Sequence, residues 1–390
     1  MDKKFKNFYK VILFATILPS LNILPFVPVS VGGFNLSGWA WIICLVASLF
    51  VISKASKASF PFWIWIPWIV YMLFSLVFDF SFVGLQLTLQ YIVPIIVGVA
   101  ASSFSYTEST LRYLFKHLRN VLIFTSMMIS IRYLSGNTII GADFVMFVVI
   151  MATLFLSIFF KLKKKIFLIY YGILCLFPLI LVTRMGILMT LLIAPLHFAL
   201  KNISARIVLV IFLILFGNLI FYSSAVQEKM FLSGSGTLEE LINDNSKLNT
   251  SGRKNMASLM EYGLRDNPLW GNGPRADLLV FDKNDLGITE AHNDYLSIRY
   301  NYGLVGLIIL LLSIFFQFFK VFVTGYKRLD SYTFIIRATI LTLFIPLLGF
   351  MYSDNILKYS TIFGNYHFAM MGIFFSIIKS KRTIHNFNKI

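Results

Sequence analysis

Three short stretches carry the side chains best suited to chemistry. Ala291-His292-Asn293-Asp294-Tyr295-Leu296 presents a histidine, the residue type best able to take and return a proton near neutrality. Val182-Thr183-Arg184-Met185-Gly186 holds an arginine between two long apolar runs, where a charge needs a partner or a task. Thr250-Ser251-Gly252-Arg253 opens a helical pattern, and free amides at a helix start beside a guanidinium fork make an anion site. Each stretch also has a plainer reading. Arg184 can lay its stem in lipid and its head in water, Arg253 can be solvated beside an ordinary helix start, and a lone interfacial histidine is more often structural than catalytic.

The elements that must hold these residues follow from composition. Of 390 residues, 58% are hydrophobic and only 13% charged, about half the charged share that covers a soluble protein. The mean hydropathy is +0.80. A soluble enzyme, a disordered chain and a fibrous protein are thereby set aside, and lipid is the expected solvent. The net charge of +17 would point to nucleic acid in a soluble chain, but here its distribution reads as membrane topology, and no nucleic-acid partner is expected. Cys44 and Cys175 lie in apolar runs and offer neither a disulfide framework nor zinc spacing.

A spanning helix needs about 20 apolar residues. Twelve apolar runs are predicted as spans, near 11–28, 38–53, 60–78, 83–101, 120–136, 141–160, 166–182, 185–200, 207–224, 294–318, 334–352 and 361–378. With the N-terminus inside, the cytoplasmic segments hold 23 of the 34 basic residues, which predicts both termini in the cytoplasm. The expected fold is all-α and polytopic. Residues 1–223 form spans one to nine, 224–291 form a large extracytoplasmic loop, and 292–390 form spans ten to twelve with a basic tail.

That loop holds 10 of the 17 acidic residues, and long connections tend to be functional. Thr237 and Glu240 have the spacing of a capping box, so a short helix is predicted to start there. A second is predicted from Arg253 to about Leu264, ending before Pro268. Gly271-Asn272-Gly273 reads as a turn, since no phosphate-loop lysine follows it. Asp282 and Asp285 flank Lys283 with no third ligand in view, so they read as solvated loop, and neither metal nor cofactor is expected. Arg299, seven residues past His292, is expected on the same helix face about 10 Å deeper. There it would pair with Asp143 or Asp354, or else bind a lipid phosphate.

Taken in order against this topology, Arg184 at an outer turn, Ser-Gly-Arg at 251–253, and His292-Asn293 leading into Gly303-Leu304-Val305-Gly306 resemble the O-antigen polymerase and O-antigen ligase superfamily. The similarity covers most of the chain in topology and concentrates in 182–192, 250–273 and 291–306. Ser353-Asp354 also looks like an acidic position of some ligases. The resemblance implies a GT-C-like, inner-membrane glycosyltransferase working on the extracytoplasmic face. Its substrates would be an undecaprenyl-pyrophosphate-linked donor and a lipid-linked acceptor, with membrane lipids and a chain-length regulator as further partners. It implies His292 as general base, Arg184 and Arg253 as pyrophosphate ligands, and Asn293, Tyr295, Arg299 and Asp354 as substrate contacts. Asn293 and Asp294 are candidate orienters of His292, and Asp294 is equally a candidate helix cap.

The Ser-Gly-Arg and His-Asn-Asp-Tyr-Leu forms look closer to polymerases than to ligases. A ligase moving finished glycan to lipid A-core is the alternative. A twelve-helix transporter or flippase is the rival from another class, against which stand the lack of an internal repeat and the late, external long loop.

Overall fold

The computed structural model describes every residue except 1–2, 24–29, 32–33, 56, 135–141, 244–246, 251, 284–289, 325–328, 360 and 388–390. Apolar runs headed by small polar caps fold as helices. The side chain of Asn35 accepts from Gly38 N at 2.7 Å, Ser81 from Gly84 N at 3.0 Å, and Asp330 from the amides of Tyr332 and Thr333. In chain order the helices are α1 (Lys3–Ile17), α2 (Leu36–Ser53), α3 (Ile66–Phe78), α4 (Phe82–Ala101), α5 (Glu108–Leu134), α6 (Ala142–Leu162), α7 (Lys165–Ile180) and α8 (Arg184–Leu192). They continue as α9 (Ile203–Phe221), α10 (Ser224–Met230), α11 (Leu238–Asn243), α12 (Arg253–Gly263), α13 (Ala276–Lys283), α14 (Asp294–Val323), α15 (Ser331–Ser353) and α16 (Phe363–Phe387). A two-residue antiparallel pair, β1 (Ser30–Val31) with β2 (Phe34–Asn35), precedes α2. Among the described residues the regular structure is thus helical apart from this pair and an isolated antiparallel bridge between Phe231 and Leu248.

Among the described residues, five helical segments are long and apolar enough to cross a membrane: Phe82–Ala101, Asp143–Leu162, Ile203–Phe221, Asp294–Val323 and Ser331–Ser353. Shorter apolar helices lie at Gly38–Ser53, Ile66–Phe78 and Lys165–Ile180. Several apolar runs are not continuous α-helix, those at 11–28 and 185–200 among them. The run at 11–28 leaves the α-helix at Ile17, just before Pro19, and tightens into a 3₁₀ turn at Leu18–Ile23. The run at 185–200 stops being helical after Leu192, and Pro195 brings no amide to continue it. Arg206 covers the carbonyls beyond that break, donating to His197 O at 3.1 Å and to Leu200 O at 2.9 and 2.6 Å.

The core forms where α4 packs between α2 and α16, α6 against α7 and α15, and α14 against α3 and α15. Trp68, Tyr302, Phe147, Phe363 and Phe374 are fully buried within it. Helices α6 and α9 each contain a stretch of mean hydropathy 2.5, yet 78% of that stretch is buried in α6 and 0% in α9. Ile207, Val208, Ile211, Phe212, Leu215 and Leu219 of α9 all stand exposed, as lipid-facing side chains do.

Between α9 and α14 the chain makes four short helices. The capping box forms as read: Glu240 N donates to Thr237 Oγ1 at 3.1 Å, and Thr237 N donates to Glu240 Oε2 at 2.9 Å. The helix expected from Arg253 is α12, ending at Gly263. Helix α13 was not foreseen; Asp282 lies in it, and Asp285 lies outside the described residues. Met256, Met260 and Leu264 pack with Phe281, Ala291 and Tyr300 into a small core of their own. Because Tyr300 belongs to α14, that core fixes the segment to the bundle.

A kink completes the attachment. Gly303 takes φ +68° and ψ −174° inside α14, and a Cβ there would stand 2.1 Å from Leu269 O. The carbonyls and amides freed by the kink are taken up by residues 268–273. Asn272 N donates to Tyr300 O at 2.9 Å, Gly273 N to Asn301 O at 3.0 Å, Leu304 N to Pro268 O at 3.0 Å and Val305 N to Leu269 O at 3.1 Å. Gly271-Asn272-Gly273 is a turn, as expected, and its partner is helix backbone.

Candidate functional site

Five of the seven residues chosen from the sequence, Arg184, Arg253, His292, Asn293 and Asp354, line one cavity of about 740 Å³. That volume is in the range of ordinary ligand pockets. The contributing segments are far apart in sequence: the turn into α8, the end of α10, the start of α12, the turn into α14 and the end of α15.

Backbone geometry aims the residues. His292 directly precedes Asn293, the N-cap of α14, whose Oδ1 accepts from Leu296 N at 3.0 Å. His292 itself sits at φ +48°, and Val182, in another wall of the cavity, also sits at φ +48°. Left-handed backbone is costly for a histidine and more so for a β-branched valine, so the surrounding fold must hold both there. Strain of this kind gathers where side chains are placed for function.

The His292 side chain is 38% exposed, and its Nδ1 lies 3.4 Å from Asp354 Oδ1. In the tautomer with the proton on Nδ1, the carboxylate accepts it and Nε2 keeps a lone pair. Asp354 also accepts from Asn355 N at 2.9 Å, which fixes its orientation. Asp354, read from the sequence as a substrate contact, therefore faces the histidine as an orienting carboxylate. The expectation that Asn293 or Asp294 orients His292 does not hold. Asn293 Oδ1 is committed to its helix cap, and buried Asp294 accepts from Leu357 N at 3.0 Å. Asn293, not Asp294, is the cap.

Across the cavity the lining is cationic. Lys229 and Lys254 join Arg184 and Arg253 there, and none of the four forms an ion pair among the described residues. Arg184 Nη1 donates to Asn249 O at 3.2 Å, which leaves most of its fork unused. Arg253 Nε is buried without a hydrogen-bond partner. Partial burial, and then the charge of Arg184, lowers the pKa of Lys229 below the ordinary lysine value. Helices α8 and α12 both begin at this wall, and neither Thr183 nor Gly252 caps its helix with a side chain. Two uncapped helix starts add their positive ends to four cationic side chains. Ser251 of the Ser-Gly-Arg stretch lies outside the described residues.

Two chosen residues lie elsewhere. Tyr295 donates its hydroxyl to Leu348 O at 3.0 Å and bridges α14 to α15. Arg299 is exposed on α14, beside Glu261, Tyr262 and Arg265, and pairs with neither Asp143 nor Asp354. The seven-residue spacing misleads because His292 is outside the helix with a left-handed φ, so helical phase does not run from it to Arg299.

Sequence reading passed over Lys229 and Lys254, although Lys254 adjoins Arg253. It also passed over a buried ionic cluster behind His292. Arg275 Nη2 donates to Glu290 Oε1 at 3.1 Å and its Nη1 to Asp277 Oδ1 at 3.3 Å. Glu290 also pairs with Lys358 and accepts from Asn355 Nδ2 at 3.2 Å. Asp277 accepts from Ser297 Oγ at 2.7 Å. The cluster ties α13, the residues before α14 and the residues after α15 together, which places Asp354 against His292. The close occurrence of Arg275, Asp277 and Glu290 within a short polar span was the available signal; Lys358, which balances the charge, lies 68 residues past Glu290.

No protein-family model matches this sequence, and no curated protein matches it.

Proposed function

We propose that the protein is a glycosyltransferase of the O-antigen or capsule polymerase type. It moves a glycan from undecaprenyl pyrophosphate to the hydroxyl at the non-reducing end of a lipid-linked repeat unit. The observation that carries this reading is the convergence on one cavity of a histidine facing a carboxylate and of four cations that form no ion pair among the described residues. In this scheme the chain crosses the inner membrane about twelve times with both termini in the cytoplasm. The cavity then opens at the extracytoplasmic end, where sugar nucleotides are absent and a lipid-carried donor is needed.

His292 Nε2 accepts the proton of the attacking hydroxyl while its oxygen bonds to the anomeric carbon. The bond from that carbon to the pyrophosphate oxygen breaks, its electron pair leaves with undecaprenyl pyrophosphate, and the anomeric centre inverts. Arg184 and Arg253, with Lys229, Lys254 and the two helix starts, offset the negative charge growing on the leaving oxygen. Asp354 holds the imidazole in the required tautomer and stabilises its protonated form.

The test is a purified assay with undecaprenyl-pyrophosphate-linked repeat units. Wild-type protein lengthens the glycan, and Arg184→Lys loses about 100-fold in kcat, nearly as much as Arg184→Ala, because an ammonium cannot reproduce the planar fork. Full activity in Arg184→Lys would reduce that residue to a simple charge anchor. Deletion of the gene separates polymerase from ligase: lipid A-core bearing a single repeat means polymerase. Bare core with accumulated lipid-linked polymer means ligase.

A further inference from the structure

A second cavity, of about 370 Å³, draws its lining from several of the same segments as the first. Residues 290–293 contribute Glu290 to one cavity and His292 to the other, and residues 354–359 contribute Lys358 and Tyr359 to one and Asp354 to the other. Helix α6 likewise gives Asp143 to the second cavity and Val145 to the first. Arg275, in the wall of the second cavity, has φ +70°, so left-handed backbone at a side-chain-bearing residue occurs here too.

The chemistry of this lining differs from that of its neighbour. Its two cations, Arg275 and Lys358, are both paired with Glu290, and the other arm of Arg275 holds Asp277. What remains includes the donors and acceptors Gln86, Gln90, Asp143, Tyr359 and Thr361, interleaved with apolar Val83 and Leu87 on α4 and joined by Trp41 of α2. Gln90 and Trp41 are each only 6% exposed, and Gln90 Oε1 and Trp41 Nε1 are buried in the wall with no hydrogen-bond partner. A buried polar atom without a partner is unfavourable, so the wall is built for a ligand or solvent that can satisfy it. Paired cations and the acidic Asp143 do not favour phosphate. Amide and carboxyl groups interleaved with apolar side chains suit a ring that is rich in both hydroxyls and C–H.

We propose that this second cavity is a saccharide subsite binding an uncharged pyranose ring through Gln86, Gln90, Asp143 and Tyr359 against Trp41, Val83 and Leu87. Resting on the transferase reading above, the ring held here is the acceptor-end sugar, whose hydroxyl reaches His292 while the diphosphate occupies the cationic cavity.

Saturation-transfer NMR on the full-length protein in detergent tests it. The probes are D-glucose, D-galactose, D-mannose and their 2-acetamido derivatives, with inorganic pyrophosphate followed by phosphorus line broadening in parallel. At least one sugar receives saturation from the wild-type protein. That signal is lost in Gln90→Leu and in Asp143→Asn, which keep side-chain volume, and it persists in Arg184→Ala. Pyrophosphate broadening does the reverse. Trp41→Phe, which removes the indole N–H together with the five-membered ring and keeps one aromatic ring, weakens the sugar signal in protein that still elutes as a single species. No sugar signal in wild-type protein, or an undiminished one in both Gln90→Leu and Asp143→Asn, overturns the subsite. Sugar binding lost in those variants, in a protein that never transfers glycan, upholds the subsite and removes the transferase reading. Transfer with an acceptor KM unmoved by Gln90→Leu overturns the acceptor role.

Discussion

Two cavities built from several of the same segments treat charge in opposite ways. Around the first, Arg184, Arg253, Lys229 and Lys254 face a single carboxylate among the described lining residues, Asp354, which is turned to His292. Around the second, Arg275, Lys358, Asp277 and Glu290 neutralise one another. Surplus charge in a half-buried wall is unfavourable until an opposite charge arrives, so the first arrangement costs stability and awaits an anion. The balanced cluster is architecture: each partner is needed to keep the others from standing alone in a buried place. Substitutions should therefore divide, with those in the cationic cavity striking turnover and those in the balanced cluster striking the fold.

The largest effect is expected at the proton acceptor. His292→Ala lowers glycan transfer in the purified assay by about 10²- to 10⁴-fold while the thermal midpoint in detergent stays near that of wild type. A His292→Ala protein that still transfers glycan at the wild-type rate removes His292 as the base. Next, Arg275→Ala leaves Glu290 and Asp277 without their shared cation and costs about 3 kcal/mol, read as a lowered midpoint in thermal aggregation. An unchanged midpoint would break the distinction between the two cavities. Asp354→Asn alters the carboxylate that faces His292 and is expected to lower kcat about tenfold with the donor KM little changed, as loss of an orienting group does.

The smallest effect concerns pH. The pKa of Lys229 is lowered by burial and by Arg184, so Lys229 sheds its proton at a lower pH than an ordinary lysine. Pyrophosphate affinity, titrated calorimetrically, accordingly weakens on the alkaline side before free lysine would titrate, and Lys229→Arg carries full affinity to higher pH. Identical profiles for the two proteins would place Lys229 outside the anion site.

Much of the local structure was legible along the chain. The Thr237–Glu240 capping box, the start of α12 at Arg253 and the turn at Gly271-Asn272-Gly273 each depend on residues a few positions apart, and each forms as read. What failed were inferences that carried a spacing through a break in the helix. The left-handed backbone at His292 cancels the phase that would have put Arg299 beneath it, and the capping duty of Asn293 removes it as an orienter. Helix α13 was missed because it is short and its burial comes from Met256, Met260 and Tyr300 rather than from its own periodicity.

The sequence by itself determined the solvent: a chain with 58% hydrophobic and 13% charged residues has too little polar surface to cover itself against water. It also singled out Arg184, Arg253 and His292, because charge and imidazole are conspicuous among apolar runs. The tertiary structure alone decided that Asp354 meets His292 across 62 positions, that Glu290 gathers Arg275 and Lys358, and that α6 is core while α9 is bare. The physical reason is common to all three. Lipid is as apolar as a protein interior, so hydropathy marks a membrane helix without telling which helices touch one another. Polar partners brought together by packing leave no spacing in the chain by which to find them.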